Sequence, residues 1–386
     1  MLSSEWDKSE NQRGIMSTPR EVDIEITSKC NLRCKYCYFF DNPNPTYIDL
    51  PKDEWIKFFK ELGKCKVMSV TLQGGEPFIR KDLPEIISAV IENKMRFSIL
   101  TNGSLITDEI TKFLKDTGRC DQIQVSLDGS KPETHDIFRG EGSFAGAIRG
   151  LEILRKHRLP YTARVTLHRY NIDDLDSIAY LLLEKLKMPS FSTNSAGMIG
   201  SCRLNSKDVV MTVSERERAM EKLLYLSHKY HGRITASAGP LAEAVYWHQM
   251  AEASKAKKKD LKQEGYLTGC GCSFNKLAVR SDGTIIPCCM LPGMEIGRIN
   301  KDSITALWHE SPVLTKLRNR RNIPLSRFEV CRTCDYMEYC TGNCPGISYS
   351  TTNLIDYPSP DGCLKLFLEG GGKLPEINKY SEYNES

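Results

Sequence analysis

The sequence predicts an α/β fold: a partial (β/α)6 barrel followed by a small C-terminal cysteine-rich domain. Six strand-like stretches separated by helix-like ones fall between residues 21 and 194, the pattern of a parallel sheet whose strands are joined by helices. Nine of the fifteen cysteines fall between Cys270 and Cys363, where glycine and proline thicken and helical periodicity mostly fails. With 386 residues and 40% hydrophobic content, the chain can build one large domain and one small one, which excludes disorder as its main state. The expected boundaries are a polar leader over 1–20, the barrel over 21–232, a bridging helical region over 233–267, the cysteine-rich domain over 268–365 and a polar tail over 366–386.

The elements follow in order. Glu21 to Thr27 alternates Val22, Ile24 and Ile26 with charged partners, a strand, and Pro51 to Leu62 sets Trp55, Phe58, Phe59 and Leu62 at helical spacing. Further strands are predicted near Val67 to Leu72, Phe97 to Thr101, Ile123 to Leu127, Thr162 to Leu167 and Phe191 to Asn194, with helices such as Phe144 to His157 and Leu175 to Leu186 between them. Thr212 and Glu215 form a capping-box pattern that opens a helix to about Tyr230. Lys255, Lys257, Lys258, Lys259 and Lys262 make a basic run, either a docking patch or a solvated helix end. In the cysteine-rich part only Ser303 to Leu317 has helical periodicity. In either an open sheet or a barrel of this kind, chemistry gathers at the carboxyl ends of the strands.

Fifty-three basic against 49 acidic side chains leave a net charge of +4, too balanced to make nucleic acid or an anionic membrane the main partner. No apolar run reaches the ~18 residues of a membrane span, and the leader lacks a signal peptide's apolar stretch. A cytoplasmic protein is expected. Fifteen cysteines in that reducing setting point to metal or iron-sulfur ligation rather than disulfides. Cys65, Cys120 and Cys202 stand apart and are expected to be ordinary buried thiols.

Cys30-Asn-Leu-Arg-Cys34-Lys-Tyr-Cys37 directly follows the first strand, so three thiolates converge at the barrel mouth. Three protein ligands suit a cluster with one open iron; a zinc ion is the alternative, with a fourth protein ligand if structural. The CxxxCxxC spacing with Tyr36 before its last cysteine resembles the signature of the radical S-adenosylmethionine (radical SAM) enzymes. Gly74-Gly75-Glu76-Pro77 ends the second strand as that family's GGEP motif does, its glycines letting backbone carbonyls approach the ammonium of SAM and Pro77 stiffening the turn. In the fourth strand Gln124 and Ser126, with Asp128 beyond, share one face by period two. The resemblance assigns Ser126 and Asp128 to SAM. Arg139 is either a partner for the SAM carboxylate or one half of a surface ion pair. Asn102 ends the third strand at the mouth and is either a SAM contact or a turn residue. His168 either lines a substrate site with Arg164 and Thr166 or is a core histidine.

Cys272 is followed by Gly283 and Cys288, then by Cys331-x2-Cys334-x5-Cys340-x3-Cys344 and Cys363. This resembles the seven-cysteine SPASM pattern, an extension that holds two auxiliary iron-sulfur clusters; Cys270 can also begin it. A pair of zinc ribbons is the rival. The resemblance places Cys270, Cys272, Cys288 and Cys344 on one cluster and Cys331, Cys334, Cys340 and Cys363 on the other. Such interleaving would cross-link a segment too poor in apolar residues to fold without metal.

The resemblance runs from about Val22 to Leu364 and implies reductive cleavage of SAM, with three iron-sulfur clusters, all [4Fe-4S]. An electron passed through the Cys30, Cys34 and Cys37 cluster would give methionine and a 5'-deoxyadenosyl radical. SPASM relatives mostly modify ribosomally made peptides or protein side chains, and peptide cross-linking is the expectation here. Alternatives are a sulfatase-maturase-like or epimerase modifier of single residues, a small-molecule modifier, and a non-catalytic electron carrier or scaffold. Expected partners are a precursor peptide or protein substrate and an external electron donor of flavodoxin or ferredoxin type. The stretch before Val22 is too short for a leader-binding domain of ~80 residues, so a separate leader-binding protein is a further candidate. Cys289 stands where the sulfatase-maturase branch carries an aspartate base, which disfavours formylglycine formation. It is a packed thiol, a cluster ligand or a hydrogen-atom donor.

Overall fold

The computed structural model describes residues 15–40, 47–257 and 265–376. Strand β1 (Glu21–Thr27) buries Val22, Ile24 and Ile26 on one face and carries Asp23 and Glu25 on the other, the alternation a strand enforces. Helix α1 (Lys52–Lys64) covers the apolar face with Trp55, Phe58, Phe59 and Leu62, all fully buried. Each such side chain is worth about 1.5–3 kcal/mol. The pattern repeats through β2 (Ser69–Gly74), α2 (Leu83–Glu92), β3 (Arg96–Thr101), α3 (Asp108–Asp116), β4 (Cys120–Ser126), α4 (Pro132–Arg139), α5 (Ser143–Lys156), β5 (Tyr161–Leu167), α6 (Leu175–Ala179) and β6 (Phe191–Ser195). Helix α6 continues to Lys185 as a π-helical stretch.

These six strands lie side by side in chain order and every neighbouring pair is parallel. Register sets polar residues opposite one another: Asp23 with Thr71, Glu25 with Gln73, Ser126 with Arg164 and Thr166 with Asn194. Several of these line a polar lumen, while the apolar faces meet the helices.

The sheet is larger than the six expected strands. The stretch read as bridging begins with β7 (Ile234–Ala236), parallel to β6. In the cysteine-rich segment β8 (Lys276–Val279) pairs parallel with β1 on the other side, followed antiparallel by β9 (Thr284–Ile286) and β10 (Gly297–Arg298). Strands of two to four residues are too short to show a period. Since β7 and β10 form the two ends of one ten-stranded sheet, the barrel is open.

Helix α7 (Val213–Lys229) starts with the anticipated capping box: Thr212 Oγ1 accepts from Glu215 N at 3.3 Å, and Thr212 N donates to Glu215 Oε2 at 2.8 Å. It packs on α8 (Pro240–Lys255). The helix expected over Ser303 to Leu317 is two, α9 (Ile304–Glu310) and α10 (Pro312–Asn319), because extended Ser311 caps the second and Pro312 starts it. After a single turn at Glu329–Arg332, two longer helices follow in the small domain, α11 (Pro345–Thr352) and α12 (Leu364–Glu369). Among the described residues no helix is long and apolar enough to cross a membrane. Of the lysine run, Lys255 ends α8 in an ion pair with Glu252 at 3.1 Å, while Lys258, Lys259 and Lys262 lie outside the described residues.

Candidate active site and cysteine groups

The loop carrying Cys30, Cys34 and Cys37 is laced to the end of β2. Gly75 N donates to Thr27 O and Glu76 N to Lys29 O, both at 2.8 Å. Gly74 has φ +121°, and a Cβ on Gly75 would sit 2.0 Å from Lys29 O, so both positions require glycine. Glu76 is fully buried and anchors the neighbouring strand end, accepting from Thr101 Oγ1 at 2.7 Å and Asn102 N at 2.8 Å. Burial pushes its carboxyl up to about 7.

Asn102 serves as a turn residue, since its Oδ1 accepts from Ser104 N and Oγ at 2.9 and 2.6 Å, and it also reaches the cavity wall. Arg139 is in a buried ion pair with Asp128, not a surface one. Its guanidinium lies 5.5 Å from the Tyr36 ring, and Nη1 is 3.9 Å from Cys34 Sγ. Asp128 accepts from Tyr36 Oη, Arg139 Nε and, at 2.7 Å, Thr166 N. Wholly enclosed, it is absent from the cavity wall, as are Glu76 and Pro77. His168 stacks 4.0 Å from Phe138 and is fully buried; desolvation holds it down to about 4. It is enclosed as a core histidine, but only Nδ1 is satisfied, accepting from Tyr170 N at 3.3 Å, while Nε2 has no hydrogen-bond partner among the described residues.

A cavity of about 480 Å³ opens at this mouth. Its wall includes the three cysteines, Tyr36, Gly74, Gly75, Asn102, Ser126 and Arg139, then Asp23, Gln73, Arg164 and Asn194 down the lumen, and Lys276 and Met290 from the cysteine-rich segment. Arg164 is its uncommitted cation: Nε has no hydrogen-bond partner among the described residues, and desolvation lowers the group. Pattern reading offered Arg139 for this role, with a surface ion pair as the alternative; that Asp128 already neutralises it is a tertiary fact.

Burial pushes Cys30 up to about 11 and Cys37 up to about 12, and raises Cys34 despite the Arg139 charge. Such thiols ionise when metal takes the proton's place. The other eight ligand candidates fall into two groups. Cys270, Cys272, Cys288 and Cys344 lie within electrostatic reach of one another, and a hydrogen bond from Cys272 lowers Cys270. Cys331, Cys334, Cys340 and Cys363 form the second group.

In each of the three groups a backbone N–H two residues on meets a thiol sulfur: Leu32 N to Cys30 at 3.4 Å, Met290 N to Cys288 at 3.4 Å and Gly342 N to Cys340 at 3.3 Å. Such donors stabilise thiolates on an iron-sulfur cluster, so the donor set fits the implied groups. Among the described residues no three His, Cys, Asp or Glu side chains gather closely enough to hold a single metal ion.

Cys289 is buried against Ala278, Ile286 and Tyr38, accepts from Gln73 Nε2 at 2.9 Å, and is absent from the cavity wall. Beside it Glu25 is buried, and desolvation raises that carboxyl to about 8. Glu25 was missed because a charged residue alternating along a strand reads as solvent-facing. Cys120 and Cys202 are buried as expected, whereas Cys65 is only half-buried at the end of α1.

Residues 24–182 match the radical SAM superfamily, and residues 270–335 match the SPASM iron-sulfur cluster-binding domain. The chain is a radical SAM enzyme with a C-terminal SPASM domain. It is 27% identical over 344 residues to an AdoMet-dependent heme synthase of Methanosarcina barkeri, covering 88% of this chain and 94% of that one. It is 24% identical to the PqqA peptide cyclase of Granulibacter bethesdensis, over 89% and 86% of the two chains. The structure of Streptococcus suis SuiB bound to its precursor peptide SuiA superimposes with a TM-score of 0.71 at 18% identity, over 92% of this chain and 78% of that one. This radical SAM/SPASM fold is therefore shared with enzymes whose substrates differ.

Proposed function

We propose that this radical SAM/SPASM enzyme binds a cluster at Cys30, Cys34 and Cys37, cleaves SAM there, and cross-links a ribosomally made peptide. The observation that carries the reading is the continuous cavity joining those thiols to a polar lumen and to Lys276 and Met290 of the SPASM segment. When bound, the cluster and SAM supply a radical that removes an unactivated hydrogen atom. Gly74 and Gly75 would present backbone to the SAM ammonium, and Ser126 with the neighbouring Arg164 would receive its carboxylate. Tyr36 and Asn102 complete the wall. Asp128 holds Tyr36 and Arg139 in place, while Glu76 and Pro77 fix the loop.

The two cysteine groups would hold auxiliary [4Fe-4S] clusters, Cys270, Cys272, Cys288 and Cys344 one and Cys331, Cys334, Cys340 and Cys363 the other. Such clusters would supply an acceptor for the one electron that remains, with loss of a proton, after the 5'-deoxyadenosyl radical has taken the first of the two hydrogens a cross-link removes. A flavodoxin- or ferredoxin-type donor supplies the cleaving electron, and a separate protein presents the peptide's leader. The peptide class is supported by the PqqA peptide cyclase and by SuiB. A porphyrin substrate is the second reading, favoured by the 27% identity to a heme synthase.

Anaerobically reconstituted, reduced protein is expected to release 5'-deoxyadenosine from SAM, and Cys34→Ala to release none while iron falls from about twelve to about eight per chain. Equal 5'-deoxyadenosine from both would sink the assignment. Mass spectrometry of candidate precursor peptides and of porphyrins incubated with the enzyme separates the two substrate classes. The cross-linking reading requires a peptide that loses two hydrogens.

A further inference from the structure

Arg320 follows α10 and is completely buried. Its Nε donates to Thr268 O at 3.0 Å, but Nη1 and Nη2 have no hydrogen-bond partner among the described residues. An orphaned buried donor calls for a missing acceptor. The charged groups around it are Asp356 and the thiols of Cys344, Cys270 and Cys272. Asp356 is the foremost of these, but its Oδ2 pairs with Lys316 at 3.2 Å and its buried Oδ1 has no hydrogen-bond partner among the described residues, Arg320 included; the thiols are the remaining neighbours, and a bound cluster would make them anionic.

The other two cysteine groups also have a cation, but a satisfied one. Arg139 beside Cys34 is neutralised by Asp128. Lys365, near Cys331 and Cys334, donates to Thr333 Oγ1 at 2.9 Å and Val330 O at 3.1 Å, with Glu369 at 3.8 Å. Arg320 alone among these three has terminal donors buried and free.

We propose that Arg320 is the counter-cation of the auxiliary cluster held by Cys270, Cys272, Cys288 and Cys344, and that its charge keeps that cluster's reduction potential high. Reduction adds negative charge to a cluster already anionic, so an enclosed cation favours the reduced form. A higher potential suits a centre that takes electrons from substrate. The inference rests on the ligand reading above.

The test is a redox titration of the reconstituted full chain followed by electron paramagnetic resonance, with Cys344→Ala identifying the signal of this cluster. Arg320→Met and Arg320→Gln are expected to shift its midpoint to more negative potential, or to lose it with about four irons per chain. Arg320→Lys restores the parental value, and the other two centres do not move. Unchanged potential in both neutral variants, or loss of the cluster in all three variants alike, overturns the proposal. Iron analysis of the parent separates the two failures: a parent without this cluster overturns the ligand reading and the inference together.

Discussion

Asp128 and Arg139 form an ion pair enclosed behind the cysteine triplet, and the same carboxylate accepts the hydroxyl of Tyr36 and the amide of Thr166. One side chain thereby fixes a ring and a cation that both face the cavity. Asp128→Asn keeps the shape but strands the Arg139 charge, a loss that breaking a buried pair sets at about 3–5 kcal/mol. Urea denaturation at neutral pH is expected to show that fall together with weaker SAM binding. Parental stability in the variant would mean the pair contributes nothing.

Gly75→Ala places a methyl on the carbonyl of Lys29. The clash falls on the backbone immediately before Cys30, so the triplet loop has to move while the sheet stays intact. Circular dichroism should match the parent, and 5'-deoxyadenosine release should drop at least tenfold, the effect of about 1.4 kcal/mol on the barrier. An alanine variant with full turnover would show that the loop does not need this close approach.

Cys289→Ser is expected to keep full iron and SAM cleavage, because the side chain is packed beneath the cavity and its partners are Gln73 and Glu25. Iron loss would instead make Cys289 a ligand. A product that no longer incorporates deuterium from deuterated buffer would make it a hydrogen-atom donor.

Glu243 on α8 faces Arg216, which also binds Asp361 at 2.6 Å. Burial nevertheless raises the Glu243 carboxyl from 4.5 to about 7. The folded protein therefore binds this proton more tightly than the unfolded chain, and stability present below pH 4.5 is lost as pH rises through about 7. Comparing Glu243→Gln with the parent by thermal unfolding at pH 5 and pH 8, the melting temperature of the variant should gain on that of the parent at the higher pH. A difference that does not depend on pH would contradict a raised carboxyl.

The strands with a period long enough to read, such as Glu21 to Thr27 and Thr162 to Leu167, were legible in the sequence, as were the triplet, the glycine turn after β2 and the spacing of the later cysteines. Local chemistry writes these features: alternation follows from the pleat, and clustered thiols in a segment poor in apolar residues require a binding partner. Only the tertiary structure decided that Asp128 and Glu76 are enclosed anchors, and that Arg139 is neutralised while Arg164 and Arg320 have unpaired donors. Each depends on which distant side chain supplies the counter-charge or hydrogen bond, as Asp128 does for Arg139. The sheet's extra strands belong here too, because Lys276–Val279 is a strand only by virtue of the β1 edge it pairs with. Residue type and spacing determined which chemistry the chain can host; long-range electrostatic and backbone pairing, absent from any local window, determined which residues remain free to perform it.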